Sequence, residues 1–535
     1  MKHFAVYSPV LGKREDIPNI LLNKAFTPDS KNCQYWSGKV RTIYGRTPEL
    51  IDASGEAVGV PESTDASGEA LGVSEYNPVI KSVWHQSDTG SKHLLVFTAT
   101  NAYRWVQATR SWTTMFASAG TVKTWSVVSF NGKVIATNNV DAPIIWSGST
   151  SDTFEALGAA IAEGITISKA KVVDAFENHI IFGNYSISTG DSYENGIIWS
   201  DLDDETEWQS GDAGAAYVEG KGVVWAFGRK NDFLYVFKTH SSRMYWYTAT
   251  EFIFSSRPYM NEVGTFSPDS IGNDRDGNLY FFGSDLAFRE VDVGIISNAI
   301  KDTVRTINHD DDVIYKIQYG YIAEYDEVWW ACPVGSSITN NTVWCYIKDG
   351  IWYERTYAVS CFGQYQVASS ENYTWDDQPE GIWDDWTGVW NDAVETAGWI
   401  LDLCFDYYGY TYTSHSSSRD TAYNGSAMVS GGLTYYFTLS VDMADKQGLR
   451  YFKRLLRLFG YFTSIHGEPV SIYIKRDNEP AWQSAGTMET TSAAAIHIEN
   501  LPVDYRSRHF LIKIQSITPF EFLGMEMDYL LSGER

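Results

Sequence analysis

The stretch "ENHIIFGNY", residues 177–185, decides the fold class of this chain, because its arrangement recurs between residues 82 and 346. A turn rich in Gly, Asn or Asp leads into a short apolar strand, and a second strand follows that ends on an aromatic residue, here "IIW" at 197–199. Short segments rich in β-branched and aromatic residues are typical of β-strands. The stretch therefore predicts one unit of a repeated all-β architecture.

The units recur at a regular spacing. Their first strands are expected to begin, in chain order, near Leu94, Lys133, Ile180, Phe233, Leu279 and Val328. A period of roughly 40 to 50 residues is typical of four-stranded propeller blades, and the segments lack the 3.6-residue periodicity of a helical solenoid. We predict a β-propeller of six or seven blades over residues 78–425. A seventh unit is expected around 404–415, and an N-terminal strand such as "KVRTIYG" (39–45) could complete the ring.

The sequence after residue 426 has a different pattern. Apolar residues alternate with polar ones, as in Val470, Ile472 and Ile474, which is the period of strands with one buried face. We predict a C-terminal antiparallel β-sandwich over 426–535. The stretch "RYFKRLLRLFGYF" (450–462) could form an amphipathic helix, but its neighbours favour a strand.

The N-terminal segment, residues 1–77, contains a duplication. "DASGEAVGV" at 52–60 is followed by "DASGEALGV" at 65–73. Small residues, acids and glycines cannot build a core, so we predict a long exposed loop or hairpin. It is either a tolerated duplication or a contact or gating loop.

The charge of the chain limits its partners. Among 535 residues, 67 are acidic and 41 basic, which gives a formal net charge of -26 at pH 7. Such a chain repels nucleic acid and anionic lipid unless its basic residues segregate onto one face. Specific DNA binding is therefore not expected.

Cysteine spacing and hydropathy place the chain in a reducing compartment. The five cysteines show no CxxC spacing, so we expect buried free thiols rather than a zinc site or a disulfide framework. The N-terminus lacks the apolar core of a signal peptide, and no window approaches about 18 consecutive apolar residues. We expect no membrane segment and synthesis in the cytosol.

An insertion near 370–395 combines tryptophans with acids in "TWDDQPEGIWDDWTGVWNDA" (374–393). Its indoles, Trp375, Trp383, Trp386 and Trp390, recur in short tryptophan-acid units. Such spacing suits successive turns in which each indole packs on the protein while the carboxylates stay in water. A subunit contact or a sugar-stacking face are the alternatives.

Three further stretches resemble functional motifs only in part. "SGDAGAAY" (210–217) is similar to the Asp-box of propeller glycosidases but lacks its closing Trp. "NHDDDV" (308–313) contains His309 and three consecutive aspartates, whose side chains point in different directions, so we expect a solvated loop. In "GNDRDGNLY" (272–280) the residues Asp274, Asp276 and Asn278 could form part of a calcium loop or a tight hairpin. We predict no catalytic, cofactor-binding or metal residues.

Three parts of the chain carry a family resemblance: "NCQYWSGKVRTIYGRTPEL" (32–50), "VVDAFENHIIFGNY" (172–185) with "GIIWSDLDDETEW" (196–208), and "FREVDVGIISNAIKDTV" (288–304). With them the chain as a whole resembles the tail hub, or nozzle, proteins of short-tailed bacteriophages, in which a short helical link is similar to the last of these stretches. The tryptophan-acid repeat and the C-terminal sandwich also fit, whereas the duplicated loop does not belong to the pattern.

This resemblance implies a structural virion protein and no enzyme. It would be assembled in the host cytoplasm into a homohexameric ring of the viral tail, docked below the portal and its adaptor. Its other partners would be a tail needle, knob, fibre or spike, and DNA would pass through the channel during genome ejection without specific binding. The alternative is a propeller lectin or glycosidase that acts on host surface glycans.

Overall fold

The protein forms two compact units. In a computed structural model, unit 1 comprises Met1–Thr47, Asp269–Val359 and Ser414–Arg535, and unit 2 comprises Pro48–Pro268 and Ser360–Thr413. The structure describes residues 2–532 except 10, 18–21, 23–24, 37–38, 44, 53, 62–77, 249, 251, 349, 367–399, 418–419, 424–427, 432, 442–451, 465–468, 478 and 490–496.

Five short strands precede the first blade. They are β1 (Lys2–Tyr7), β2 (Ser30–Lys31), β3 (Cys33–Trp36), β4 (Lys39–Thr42) and β5 (Gly45–Pro48). Strand β5 joins a sheet formed by residues 361–417, and β1 to β4 join sheets formed by the last hundred residues. The N-terminal strands therefore depend on partners from the far end of the chain.

Unit 2 begins with four antiparallel sheets, each with its strands in chain order. Blade 1 has β6 (Lys81–Gln86), β7 (Lys92–Phe97), β8 (Asn101–Val106) and β9 (Ser111–Ala117), and blade 2 has β10 (Ser126–Phe130), β11 (Lys133–Thr137), β12 (Ile144–Trp146) and β13 (Glu155–Ala156). Blade 3 has five strands, β14 (Ala160–Ala162), β15 (Ile165–Phe176), β16 (His179–Ile187), β17 (Ser192–Trp199) and β18 (Gly214–Tyr217). Blade 4 has β19 (Val224–Lys230), β20 (Phe233–Lys238), β21 (Ser242–Tyr247) and β22 (Phe254–Met260).

Two further blades belong to unit 1. Blade 5 has β23 (Gly272–Asn273), β24 (Leu279–Gly283), β25 (Ala287–Glu290) and β26 (Gly294–Ile295), and blade 6 has β27 (Gln318–Ile322), β28 (Glu327–Cys332), β29 (Thr342–Ile347) and β30 (Ile351–Arg355). The expected helical link lies between them, as a 3-10 turn (Ser297–Ile300) that continues into helix α1 (Lys301–Val304). Shorter 3-10 turns cover Pro268–Ser270 and Ile314–Lys316.

Blade 7 corresponds to the unit expected around 404–415. Its strands are β31 (Cys361–Gln366), β32 (Ile400–Phe405) and β33 (Thr411–Ser417), with β5 as the fourth. An N-terminal strand does complete this sheet, but it is Gly45–Pro48 rather than the centre of 39–45, because Lys39–Thr42 pairs with β3. The tryptophan-acid insertion lies between β31 and β32 in the sequence, outside the described residues.

The fold class is confirmed as all-β, with propeller blades followed by C-terminal antiparallel sheets. Seven blade-like sheets are present in the described ranges. Five of the six strands predicted to open a unit are instead the second strands of their sheets, such as β7, β20 and β28, and the strand predicted from Ile180, β16, is the third of the five strands in blade 3. The reason is burial. β28 is buried along its whole length and is therefore a continuous apolar segment, whereas first strands such as β6 are partly exposed and have a weaker strand pattern in the sequence.

The C-terminal sheets contain the remaining strands. These are a hairpin of β34 (Asp420–Tyr423) and β35 (Met428–Gly431), followed by β36 (Tyr435–Val441), β37 (Phe452–Ser464), β38 (Val470–Arg476), β39 (Gln483–Met488), β40 (His497–Ser507), β41 (Phe510–Ser516) and β42 (Phe520–Ser532). One sheet has the order β3-β4-β42-β37-β40, with β1 also paired to β42, and the other has the order β2-β36-β41-β38-β39.

The two C-terminal sheets pack face to face through apolar side chains. The rings of Phe437 and Phe522, one from each sheet, have centroids 5.0 Å apart. As predicted, the alternating residues Val470, Ile472 and Ile474 are fully buried, and residues 452–462 form a strand rather than a helix. Burial of one side chain of this size contributes about 1.5–3 kcal/mol, so the alternation supplies much of the stability of these sheets.

Buried charges connect the N-terminal segment to blade 6 within unit 1. The fully buried carboxylate of Glu327 accepts hydrogen bonds from the Gln34 side chain, from the Trp329 indole at 2.9 Å and from the Tyr353 hydroxyl. The guanidinium of Arg355, also fully buried, stacks 4.1 Å from the centre of the Trp329 ring. Because β3 supplies Gln34 and blade 6 supplies the others, the network joins two distant parts of the sequence.

A second buried cation lies nearby. Lys13 is 5% exposed, and its ammonium lies 3.1 Å from a Glu15 carboxylate oxygen and 3.7 Å from Glu354. Glu15 in turn accepts a hydrogen bond of 2.9 Å from the Thr303 backbone N–H of helix α1. The first 47 residues are therefore held in unit 1 by ion pairs as well as by strand pairing.

The five cysteines are free and buried, as predicted. Burial raises the pKa values of Cys33, Cys332 and Cys345, which keeps these thiols protonated. Among the described residues, no helix has the length and hydropathy needed to cross a membrane.

Candidate functional site

The stretch considered as a calcium loop is a hairpin turn fixed by Asp274. One carboxylate oxygen of Asp274 accepts the backbone N–H groups of Asp276 and Asn278, both at 2.9 Å. The other accepts the Tyr280 hydroxyl at 3.2 Å. Gly277 has a φ of +81°, which closes the turn. Both oxygens of Asp274 are thus already used inside the protein.

A lysine supplies the cation at this turn. The ammonium of Lys348 lies 3.1 Å from Asp274 and 3.5 Å from Asp326, and it also pairs with Asp276. Burial alone would raise the pKa of Asp274, but hydrogen bonds from Asn278 and Lys348 lower it below its usual value. The hairpin interpretation fits this arrangement, because an ammonium already neutralises the carboxylates.

We expect calcium to leave the stability of the wild-type protein unchanged. Replacing Lys348 by alanine removes the ammonium, leaves Asp274, Asp276 and Asp326 facing each other, and should lower the melting temperature. Calcium should restore part of that loss, because carboxylate oxygens are its preferred ligands. Melting curves with calcium or with a chelator test this expectation, and a calcium-dependent rise for the wild type would contradict it.

The same turn is built elsewhere. Asp406 accepts the backbone N–H groups of Tyr408 and Tyr410, both at 2.9 Å, and the Tyr412 hydroxyl at 2.6 Å. In the first copy of the duplication, Asp52 accepts the backbone N–H of Ser54 at 2.8 Å and of Glu56 at 3.0 Å. The tip of the first copy, residues 54–56, is an exposed turn, as predicted. The expectation that this stretch builds no core is wrong for its end, because Val60 is buried in a hydrophobic cluster of unit 2 and Val58 packs against that cluster. The second copy, 65–73, lies outside the described residues.

The other partial motifs are surface turns. His309 and the three aspartates after it are exposed. In "SGDAGAAY", the backbone N–H of Asp212 donates to Asp201, and its carbonyl accepts the Trp199 indole N–H at 2.8 Å. Across the described residues, no three His, Cys, Asp or Glu side chains converge as metal ligands. None of these stretches forms a reactive cluster.

A cavity of about 230 Å³ in unit 2 is the strongest candidate for a binding site. Blade 1, the segment after β12 and strand β31 of blade 7 form its walls. None of the lining residues is acidic, and they are Lys92, His93, Leu94, Arg104, Trp105, Val106, Gln107, Thr150, Tyr365 and Gln366. A cavity of this size is smaller than a drug-sized pocket but much larger than a single water site.

Arg104 gives the cavity its charge. The side chain is 7% exposed, and its Nη2 donates to the Thr150 carbonyl at 3.0 Å. Its Nη1 is buried and has no hydrogen-bond partner in the described part of the chain. Burial also lowers the pKa of Arg104. A buried guanidinium without an acidic partner is costly, so this position suggests a role in binding.

Gln107 and two aromatic residues form a hydrogen-bonded part of the cavity lining. The Trp105 indole N–H donates to Gln107 Oε1 at 2.8 Å, and the Tyr365 hydroxyl donates to the same oxygen at 2.9 Å. An indole N–H can only donate, so the atom that it faces must be the amide oxygen. The amide NH₂ of Gln107 is therefore oriented away from these two side chains and can act as a donor.

Two histidines are close to Arg104, and one of them, His93, also lines the cavity. His85 and His93 are paired across strands β6 and β7, and the His93 ring lies 5.0 Å from the centre of the Trp146 ring. Burial, followed by the nearby charges of Arg104 and His85, lowers the pKa of His93 to about 4. Burial also lowers the pKa of His85. Both rings are consequently neutral in the folded protein at pH 7.

Unit 2 should lose stability as the pH falls from 6.5 to about 4. The pKa of His93 is lower in the folded chain, so the unfolded chain binds the proton first, and the loss should reach about 2–3 kcal/mol near pH 4. Replacing His93 by asparagine should flatten this dependence. Replacing the exposed His240 of the same unit should leave it unchanged. Urea unfolding at several pH values measures both slopes, and identical slopes would disprove the role of His93.

Sequence reasoning missed this cavity because its walls come from distant segments, as in the hydrogen bond from Lys92 to Gln366. One local signal was available. In "NAYRWV", residues 101–106, a single arginine stands inside a buried strand with no acid beside it. An unpaired charge in an apolar strand indicates either a buried partner or a ligand.

Comparisons with known proteins add little. A scan against protein-family models and a search of curated proteins find no match. Among solved structures, the chain is similar to the exo-β-1,3-galactanase of Phanerochaete chrysosporium, determined with galactose. The identity is 10%, the match covers 88% of this chain and 99% of that chain, and the TM-score is 0.25. A likeness of this extent carries no argument about function.

Proposed function

We propose that the protein is a structural component of a short-tailed bacteriophage tail. It would form a ring, as a homohexamer, below the portal and adaptor, and it would line part of the channel through which DNA is ejected. A tail needle, knob, fibre or spike would close the opposite end. The proposal starts from the sequence resemblance, assigns no chemistry or cofactor to the chain, and places it in the virion after assembly in the host cytoplasm.

The distribution of charge between the units is the observation that best supports this proposal. Unit 2 has 36 acidic and 14 basic residues, a net charge of -22, whereas unit 1 has 31 acidic and 27 basic residues, a net charge of -4. An acidic surface repels the phosphate backbone, so DNA can move past it without binding. A nearly neutral unit is better suited to contacts between subunits, because it brings little repulsion into an interface.

The construction of unit 1 also suits a mechanical role. Strand β42 pairs with β1, β4 and β37, and Gln34 and Lys13 add buried polar contacts. The strands β1 and β42, far apart in the sequence, are thus paired inside one unit. A component that withstands the pressure of packaged DNA benefits from strands that are held in this way.

The mass of the purified protein, alone and with its adaptor, tests the proposal. A hub subunit should form a closed ring or bind to one, and particle images should show that ring. A monomer that ignores the adaptor would overturn the proposal. If that monomer released reducing sugar from host polysaccharide, and one carboxylate substitution abolished the release, the glycosidase alternative would replace it.

A further inference from the structure

The cavity around Arg104 has the composition of a site for a small anion. Two cations, Lys92 and Arg104, line it, and no lining residue is acidic. They stand out because unit 2 as a whole is strongly acidic. A cavity without carboxylates attracts anions in such a unit only if its cations are held in place. Both are held by hydrogen bonds, Lys92 to Gln366 and Arg104 to Thr150.

The donors favour a carboxylate attached to a polar ring. A guanidinium forms planar paired hydrogen bonds with carboxylates, and Arg104 retains a buried donor, Nη1, with no protein partner in the described ranges. Gln107 offers an amide NH₂, and Trp105 and Tyr365 provide aromatic walls. Hydroxyl groups need such fixed donors and acceptors, and ring faces pack against aromatic side chains.

We propose that this cavity binds a sugar acid, which is a pyranose ring that carries a carboxylate. The carboxylate would pair with Arg104 at the buried end, Lys92 would add charge at the exposed rim, and Gln107 would bind a ring hydroxyl. The cavity volume of about 230 Å³ fits one such residue. No bond is made or broken in this step. The inference goes beyond the proposed function, because a ring-forming tail protein needs no sugar site.

Titrations of the full-length protein with glucuronic acid and with N-acetylneuraminic acid test the proposal. We expect saturable binding of at least one acid at about millimolar concentration or tighter, and at least about tenfold weaker binding of glucose. Calorimetry or ligand-observed NMR measures both. Absence of binding by both acids at ten times that concentration, or equal binding of glucose, would overturn the proposal.

Three variants locate the binding. Arg104→Gln should weaken it at least about tenfold, because the buried charge is lost. Lys92→Gln, at an exposed position that carries little risk for folding, should weaken it about two- to fivefold. Arg257→Gln removes one exposed positive charge from the same unit and should change affinity less than about twofold. Equal weakening by Arg257→Gln would show that net charge, rather than the cavity, attracts the acid.

Further probes separate this ligand class from others. Inorganic phosphate or a short glutamate-rich peptide that displaces the sugar acid with higher affinity would overturn the assignment in favour of an anion or peptide site. Ring formation should be the same for Arg104→Gln and the wild type. Failure of sugar-acid binding in a protein that forms rings therefore refutes only this inference, and binding by a protein that forms no rings refutes only the proposed function.

Discussion

Replacing Glu327 by methionine should lower the free energy of unfolding of unit 1 by about 3–5 kcal/mol, because it removes the fully buried carboxylate that accepts hydrogen bonds from Gln34, Trp329 and Tyr353. The substitution also ends the electrostatic attraction between that carboxylate and the buried guanidinium of Arg355. Each of the hydrogen-bond donors is buried, and an unmade hydrogen bond at such a position costs about 1–3 kcal/mol. The damage should extend to strand β3, which carries Gln34.

Calorimetry and hydrogen exchange can assign this loss to unit 1. Exchange should rise in β3 and in blade 6, while blades 1 to 4 keep their protection. Glu262→Gln is the matched control, because Glu262 is 72% exposed and pairs with an exposed lysine. Such a pair contributes about 0–1 kcal/mol. If both substitutions gave the same melting temperature as the wild type, the buried network would have no structural importance.

A double variant isolates the electrostatic contribution to this loss of stability. Removing both charges, with Glu327→Met and Arg355→Met together, should be less harmful than the sum of the two single substitutions, because each single variant already loses the attraction between the two groups. Additive losses would show that packing around Trp329, rather than charge, accounts for the effect.

Replacing Gly264 by alanine should destabilise unit 2 by about 3 kcal/mol or more, the range of severe overpacking. A Cβ atom at this position would lie 1.8 Å from the backbone carbonyl oxygen of Lys238 and 2.8 Å from the backbone nitrogen of His240. The carbonyl cannot move freely, since it accepts the Thr265 backbone N–H at 3.0 Å. The Lys238 ammonium is itself fixed by the carbonyls of Val218 and Gly220.

Thermal unfolding of Gly264→Ala measures this clash. The control is Gly120→Ala, where the nearest atom to the new Cβ is a Val140 methyl at 3.3 Å. A methyl group can give way by a few tenths of an ångström, so the control should shift stability by less than about 1 kcal/mol. Equal melting temperatures for the two variants would mean that the segment around Gly264 moves more easily than its hydrogen bonds indicate.

The blades could be predicted from the sequence because their second strands are buried on both faces. Segments such as "FLYVFK" (233–238) and "EVWWAC" (327–332) are continuous apolar runs, and their spacing shows the period directly. The partners of the N-terminal strands could not be predicted in this way. Strand β1 pairs with β42, more than 500 residues away, and no local pattern records a contact at that separation.

The two candidate sites differ in the same respect, because one is local in the sequence and the other is formed by distant segments. The aspartate turn at Asp274 is local, so its hairpin alternative was available from "DRDGNLY" alone. The lysine that neutralises it, Lys348, directly follows β29 of blade 6 and lies 74 residues later in the sequence. This contact was not predicted from the sequence. The Arg104 cavity draws on three segments, and its character depends on which side chains remain unpaired after folding. Sequence identifies such residues only as anomalies within a strand.

The pairing of β42 with β1 and β4 also determines when unit 1 can complete its folding. Ribosomes add about 5–20 residues per second, so a nascent chain of this length spends roughly half a minute to two minutes in synthesis before its last strand emerges. Until then β1 and β4 lack this neighbour, whereas blades 1 to 4, which end at Met260, have all of their strands once about half of the chain has been made. A premature stop codon a few residues before position 520 would therefore leave β1 without the strand with which it pairs.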